Sequence, residues 1–251
     1  RDFDGHTPVS PTRFATVSGH EIGKSALVAW LTKFILDTRP HSKITLTAVT
    51  DEQLRTKTWA EVGKWNQISL TSHWYEYSSS RGNMSLIHRG HRDWRADART
   101  SRKERSESFA GQHAPMATSA YIFDEASGIE PKVFEVREGG LSSGEPMVFD
   151  FGNGTRNSGP FFEECQGKLK NLYLHRSIDS RTVHITNKEK IAEDALNFDE
   201  DFMRVRWYGQ FPERGFAQFI PSEDVEAAMD REAPADRAAP LVLGVDVARM
   251  G

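Results

Sequence analysis

A single cysteine, Cys165, in 251 residues excludes an internal disulfide and any multi-cysteine zinc site. That scarcity fits a reducing compartment. Long apolar runs are missing too: nothing approaches the roughly 18 residues that a membrane-spanning helix needs. No signal-peptide pattern opens the chain, and its start on Arg1 leads us to expect a natural N-terminus further upstream. Charge of one sign is also scarce. The 32 Lys and Arg are outweighed slightly by 36 Asp and Glu, a net charge of -4, so the surface as a whole is no nucleic-acid magnet. Any such contact must come from local patches. There is no internal repeat and no low-complexity tract.

What is present is an alternation of short apolar runs with helical stretches. FATV (14–17) reads as a strand, Lys24 to Leu36 as a helix, KITLTAV (43–49) as a strand and Asp51 to Trp65 as a helix. MSLIH (84–88) is a weaker strand. YIFDE (121–125) and MVFDFGN (147–153) are apolar on both faces, as buried parallel strands are. Another strand is expected at LYLHRSI after Leu172, with helices near 188–196 and 199–208. Residues 210–240 grow rich in Pro, Ala and charge, a linker signature, before a fresh buried strand at LVLGVDVARMG. The pattern predicts a three-layer α/β fold around a mainly parallel sheet, with a second domain beginning at that last strand.

SGHEIGKS (18–25) follows FATV and runs into an apolar helix. This strand–loop–helix context suits a phosphate-binding loop made of Ser18, Gly19, His20, Glu21, Ile22, Gly23, Lys24 and Ser25. Backbone N–H groups and a helix N-terminus would cradle phosphates, Lys24 would neutralise the β/γ oxygens, and the Ser25 hydroxyl would hold Mg²⁺. The spelling departs from the usual pattern: Ser18 replaces the first glycine, and Glu21 stands where many such loops have glycine. Turned inward, its carboxylate would repel phosphates, so Glu21→Gly is expected to tighten ATP binding at least about tenfold. A hundred residues on, the apolar strand 121–125 ends in Asp124-Glu125. P-loop ATPases place one carboxylate on Mg²⁺ and its neighbour beside the attacking water in this way. A strand that simply ends at solvated acids is the bland alternative.

Several ordered stretches resemble the large terminase subunit of tailed bacteriophages, the ATPase that drives DNA into a procapsid. They are SGHEIGKSALVAW, LTAVTDEQLRTKTWAEVGKW (46–65), SESFAGQHAP (106–115), AYIFDEASGI (120–129), FDFGNGTRNSGPFF (149–162), IDSRTV (178–183), RVRWYGQFP (204–212) and LVLGVDVARMG (241–251). The resemblance implies an ASCE-type P-loop fold over 1–220, with a small helical subdomain and linker at about 165–235. It further implies a truncated RNase H-like nuclease domain opening at 236–251. On it, Lys24 and Ser25 match the phosphate loop, where the family usually has glycine at the position of Glu21. Asp124 matches the magnesium-binding acid and Glu125 the catalytic base. Asn153 and Thr155 match the coupling motif that senses the γ-phosphate. Asp246 matches the first metal-binding carboxylate of the nuclease, whose activity is not expected from a chain ending at Gly251. ATP and Mg²⁺ are the implied cofactors. The implied partners are double-stranded DNA, the small terminase subunit, the portal protein and further copies in a ring, with no membrane. The implied location is the host cytoplasm, transiently at the procapsid portal. Another P-loop translocase or helicase shares the loop and acids. A domain whose hydrolysis is impaired by Glu21 and which only binds DNA or the portal is the third reading.

RGHRDWRADARTSRKER (89–105) holds six arginines and one lysine against three acids. Arg92, Arg95, Arg99 and Arg102 recur at three- and four-residue spacing, so on a helix they would share a face. Arg99, Arg102 or Arg105 could enter a neighbouring subunit's ATP site as an arginine finger, while others could meet DNA phosphates. A solvated basic face is the plain alternative. The nine histidines show no H-x-x-x-H pair and no ligand cluster, which argues against a metal site beyond Mg²⁺. Trp59 and Trp65 lie on one amphipathic helix and read as core in preference to a base-stacking platform. Phe161 and Phe162 are expected to pack the helix after the coupling motif onto the sheet.

Overall fold

The computed structural model describes residues 3–100 and 114–213. Eight strands form one sheet in the order β3-β4-β5-β2-β6-β7-β1-β8. They are β1 (Thr12–Ser18), β2 (Lys43–Ala48), β3 (Tyr75–Ser80), β4 (Asn83–His88), β5 (His91–Thr100), β6 (Thr118–Asp124), β7 (Glu145–Gly152) and β8 (Leu174–Ile178). From β5 to β8 every neighbouring pair is parallel, and β3 and β4 add an antiparallel edge. The apolar runs at 14–17, 43–49, 84–88, 121–125 and 147–153 all fall on strands, three of them passing the strand's end by one residue, and β6 is buried at every residue. Strand β8 belongs to this same sheet although it falls within the segment 165–235.

Helix α1 (Lys24–Thr38) packs on one face beside a continuous helical stretch. That stretch is α2 (Asp51–Gln53), a π-helical turn (Leu54–Thr58) and α3 (Trp59–Ile68). Thr50 caps its start, its hydroxyl accepting from the Gln53 N–H. Between these helices and the sheet lies a core of Ile35, Leu36, Leu46, Leu54, Trp59, Val62, Leu86 and Ile122. Trp59 is fully buried and stacks on Tyr77 with centroids 5.6 Å apart, so it is core, as expected. The opposite face is covered by α4 (Pro131–Gly139) and α5 (Pro160–Cys165) over Tyr121, Phe123, Val133, Phe134, Val148 and Phe161. Phe161 and Phe162 pack α5 onto this core, as the sequence suggests, and both also meet Phe211. Helices α6 (Lys188–Asn197) and α7 (Glu200–Met203) follow β8, and a second π-helical turn (Arg204–Tyr208) continues α7. Among the described residues no helix is long and apolar enough to cross a membrane.

The arginine stretch corrects one expectation. Residues 91–100 are strand β5, not helix, because Trp94, Ala96 and Ala98 enter the core at period two while Arg95, Asp97 and Arg99 take the other face. Arg92 pairs with Glu76 at 3.4 Å, and Arg95 forms a bidentate pair with Asp97. Arg92 therefore does not share the face of Arg95 and Arg99. Arg102 and Arg105 lie outside the described residues, as do Asp246 and the segment 241–251 where a strand is expected.

Candidate active site

In a parallel sheet all strands deliver their C-terminal ends to one edge, where ligands of open α/β folds bind. Here β1 ends at Ser18, β6 at Asp124 and β7 at Gly152, and β7 stands between the other two. The edge opens into a cleft of about 630 Å³ lined by residues 20–26, Gln53, Lys57, Thr58, Lys64, Trp65, Asp124, Glu125 and Asn153. The loop, the acid pair and Asn153 therefore meet in one place.

Gly23 turns the loop into α1 at φ 88°, a left-handed conformation that glycine takes at no steric cost. Gly19 is required by proximity: a Cβ there would lie 2.2 Å from Ser180 Oγ and 2.4 Å from the Trp207 carbonyl oxygen. The loop's back is braced by the 178–207 segment. Gly19 N–H donates to the Ile178 carbonyl at 3.0 Å, His20 N–H to the Arg206 carbonyl at 2.8 Å, and Ser180 Oγ to the His20 carbonyl at 2.7 Å. Glu21 also has a left-handed backbone, φ 62°, and its side chain is exposed. Its carboxylate is thus open to solvent on a strained, left-handed backbone, while the residue still lines the cleft.

Lys24 Nζ donates to Gly19 O at 2.9 Å, Ser18 Oγ at 3.1 Å and Asn153 Oδ1 at 3.4 Å. Burial lowers its pKa, and Asp124 and Glu125 oppose that shift. Asn153 also donates through Nδ2 to the Ser18 carbonyl at 2.6 Å, so one side chain touches both the lysine and the strand before the loop. Thr155 Oγ1 donates to Ser127 Oγ at 3.0 Å, joining the segment after β7 to the turn after the acid pair.

Asp124 is buried, and its Oδ2 accepts from Thr58 Oγ1 at 2.6 Å. Glu125 takes a left-handed backbone, φ 56°, the kind of strain that clusters at functional sites. Burial, then the neighbouring charge of Asp124, raises its carboxyl pKa, against Lys57, Lys24 and a hydrogen bond with Gln53. His20 is pushed down to about 4 by burial and by Arg206, Lys24 and Lys57. Three cations thus crowd one loop imidazole, a field suited to an anionic ligand.

Gln53, Lys57 and Thr58 escape a reading by motif. They lie in the 46–65 stretch without an assigned role; Lys57 and Thr58 line the cleft from the π-helical turn, a feature often found at functional sites, and Gln53 from the residue before it. The bracing residues Ile178, Ser180 and Arg206 carry no catalytic signature either. Trp65 packs edge-on to Trp30 at 5.0 Å, donates to Glu61, and also lines the cleft. Of the candidate arginines, Arg99 is the described one, at the C-terminal end of β5 and thus at this edge of the sheet.

The histidines correct a second expectation. His41, His91 and Asp93 do form a cluster, at the opposite edge of the sheet.

No known protein-family profile matches the chain. The probable terminase large subunit of Enterobacteria phage P7 is 25% identical over 164 residues, which is 62% of this chain but 33% of that protein. The ATPase domain of the Thermus phage P74-26 large terminase matches with a TM-score of 0.59 at 19% identity, covering 79% of this chain and 88% of that one. This is the fold of a phage large-terminase ATPase domain. The large terminase of a thermophilic bacteriophage, solved in complex with ADP, gives a TM-score of 0.62 at 12% identity over 80% of this chain and 49% of that one. The terminase resemblance read from the sequence therefore holds, and the chain spans about a third of the curated relative it matches, 33%.

Proposed function

We propose that this chain is the ATP-hydrolysing part of a terminase large subunit that moves double-stranded viral DNA into a procapsid. The observation that carries the reading is the convergence of Lys24, Asp124, Glu125 and Asn153 at one sheet edge, within the terminase fold. The phosphate loop would hold the nucleotide through residues 18–25, with Lys24 exchanging its present oxygens for phosphate oxygens. Ser25 and Asp124 suit Mg²⁺, since a hydroxyl beside a buried carboxylate is the hard-oxygen donor set that ion takes. When bound, Mg²⁺ would offset phosphate charge. Glu125, with its raised pKa, would accept the proton of the attacking water, and Gln53 would orient it. Asn153, bonded to both Lys24 and the Ser18 carbonyl, would carry the change in phosphate state along the 153–157 stretch.

Arg99, Arg102 and Arg105 stand as trans-acting candidates for a neighbouring subunit's site. Double-stranded DNA, the small terminase subunit, the portal protein and a ring of copies are the proposed partners. The host cytoplasm, at the procapsid portal, is the proposed location. We assign 1–220 to the ATPase, 165–235 to its subdomain and linker, and 236–251, with Asp246, to the opening of a nuclease domain.

Steady-state ATP hydrolysis with Mg²⁺, with and without DNA, tests the reading. Stimulation by duplex but not single-stranded DNA supports it. Single-strand stimulation would move the protein to the helicases, and no hydrolysis at all would leave a DNA- or portal-binding domain. An inactive arginine→Ala variant that regains turnover when mixed with Glu125→Gln would identify the trans-acting arginine.

A further inference from the structure

The sheet edge opposite the nucleotide cleft carries a group of side chains with no part in the chemistry above. The turn between β4 and β5 is short, and a register shift at Ile87/His88 sets His88 across from His91. Strands β2 and β5 run parallel with Lys43 opposite Arg95, so the residue two before Lys43 comes level with Asp93. That residue is His41, held at φ 60°. His91 and Asp93, two apart on one strand, point the same way. One nitrogen from each of His41 and His91 and one oxygen of Asp93 all lie within 4.8 Å of one another, and all three residues are exposed. His41 Nδ1 and Asp93 Oδ2 are already 2.9 Å apart.

Two atoms bound to one tetrahedral zinc at about 2.0–2.1 Å sit roughly 3.3 Å from each other. The pair at 2.9 Å is thus near that spacing, and the third ligand needs only a side-chain adjustment at an exposed position. Two imidazoles with one carboxylate favour borderline first-row ions over Mg²⁺ or Ca²⁺, which prefer all-oxygen sets.

We propose that His41, His91 and Asp93 form a binding site for a divalent first-row transition ion, zinc in the first instance, with a coordination position left for water. The ion joins the α1–β2 connection to the start of β5, beside the His41–Asp93 contact, the ring packing and the Arg95 N–H bond to the Ser42 carbonyl. Strand β2 spans six residues, so at ~3.3 Å per residue the site lies about 20 Å from the nucleotide cleft and acts on the fold, not on hydrolysis. Trp94, whose ring is 6.5 Å from His91 and stacked on His88 at 4.4 Å, is a built-in reporter.

The test uses untagged, chelator-stripped protein without nucleotide, in buffer containing Mg²⁺. Calorimetric titration with zinc chloride should show one equivalent bound, and zinc should raise the Tm. His91→Ala and His41→Gly, the latter suited to its left-handed backbone, should each weaken binding at least about tenfold. His175→Ala, on the far edge strand β8, should not change it. Cu²⁺ should quench the indole fluorescence at one equivalent in the parent and not in His91→Ala. Binding that survives both variants, absence of saturable zinc uptake, or equal uptake of Mg²⁺ would overturn the site. Circular dichroism of each variant separates lost binding from lost fold.

Discussion

Thr58 Oγ1 donates to Asp124 Oδ2 at 2.6 Å, and both residues are buried. The contact crosses from the π-helical turn to the end of β6, so the orientation of the acid proposed for Mg²⁺ is set by a helix on the sheet's face. Thr58→Val keeps the shape and removes the donor. We expect turnover to fall about 10–100-fold with a higher Mg²⁺ requirement, the range seen when such supporting partners are removed. Thr58→Ser should restore most of it. Magnesium titrations of steady-state ATP hydrolysis check this; unchanged turnover in Thr58→Val would deny Thr58 any positioning role.

Glu125→Gln should retain nucleotide binding and lose about 10²–10⁴ in hydrolysis. Lys24→Ala should lose binding itself, because its compact charge meets the phosphates. The raised pKa of Glu125 adds two signatures. Only the ionised form is a base, so activity should climb with pH through a midpoint above the ordinary glutamate value. The folded state holds this proton more tightly than the unfolded one, so Glu125 favours folding at low pH and loses that contribution as pH rises through its folded pKa. At neutral pH Glu125→Gln should therefore melt higher than the parent. Melting curves at pH 4 and pH 7.5 should show the gap opening only at the higher pH.

Glu21→Gly has a smaller expected effect than the sequence alone suggests. With the side chain exposed, the full repulsion of about 4 kcal/mol that two charges 4 Å apart would feel does not apply. What remains is a non-glycine residue at φ 62°, worth about 1–2 kcal/mol of strain. The variant should melt a few degrees higher and bind a non-hydrolysable ATP analogue less than tenfold more tightly. A gain above tenfold by calorimetry would mean that the carboxylate does face the phosphates.

Arg137 is enclosed between the rings of Phe123 and Phe134 and reaches Asp150 at 2.7 and 2.9 Å, Glu164 at 2.7 Å and Tyr173 at 3.0 Å. It ties α4, β7 and α5 together, one of them the strand that leads directly into Asn153. Arg137→Met leaves two buried carboxylates without their cation and should cost about 3–5 kcal/mol in chemical denaturation. Adding Asp150→Asn and Glu164→Gln should recover much of that loss. No recovery would show that the arginine's packing, not its charge, holds the three elements.

Much of this arrangement is legible in residue order. The doubly apolar strands at 121–125 and 147–153 point to a parallel sheet, and Ser18–Ser25 and Asp124-Glu125 mark the edge where the cleft opens. The arginines mislead because spacing of three and four has meaning only on a helix, and Trp94, Ala96 and Ala98 impose a strand. The histidine cluster is hidden because register, not sequence distance, brings position 41 beside position 93. Glu21 is ambiguous for a different reason: a sequence gives the charge and not the direction in which the backbone points it.

The bracing of the phosphate loop has a consequence for how the protein is made. Strand β1 is synthesised first, yet its two sheet neighbours are β7 and β8, and its loop leans on Ile178, Ser180 and the Arg206 and Trp207 carbonyls. Every one of those contacts waits for chain more than 130 residues further on to leave the ribosome. Such distant pairings are slow to close. Until Gly209 has emerged, the 18–25 loop of the nascent chain lacks its bracing from the 178–209 segment, so the loop takes its final form only after the strands around it are made.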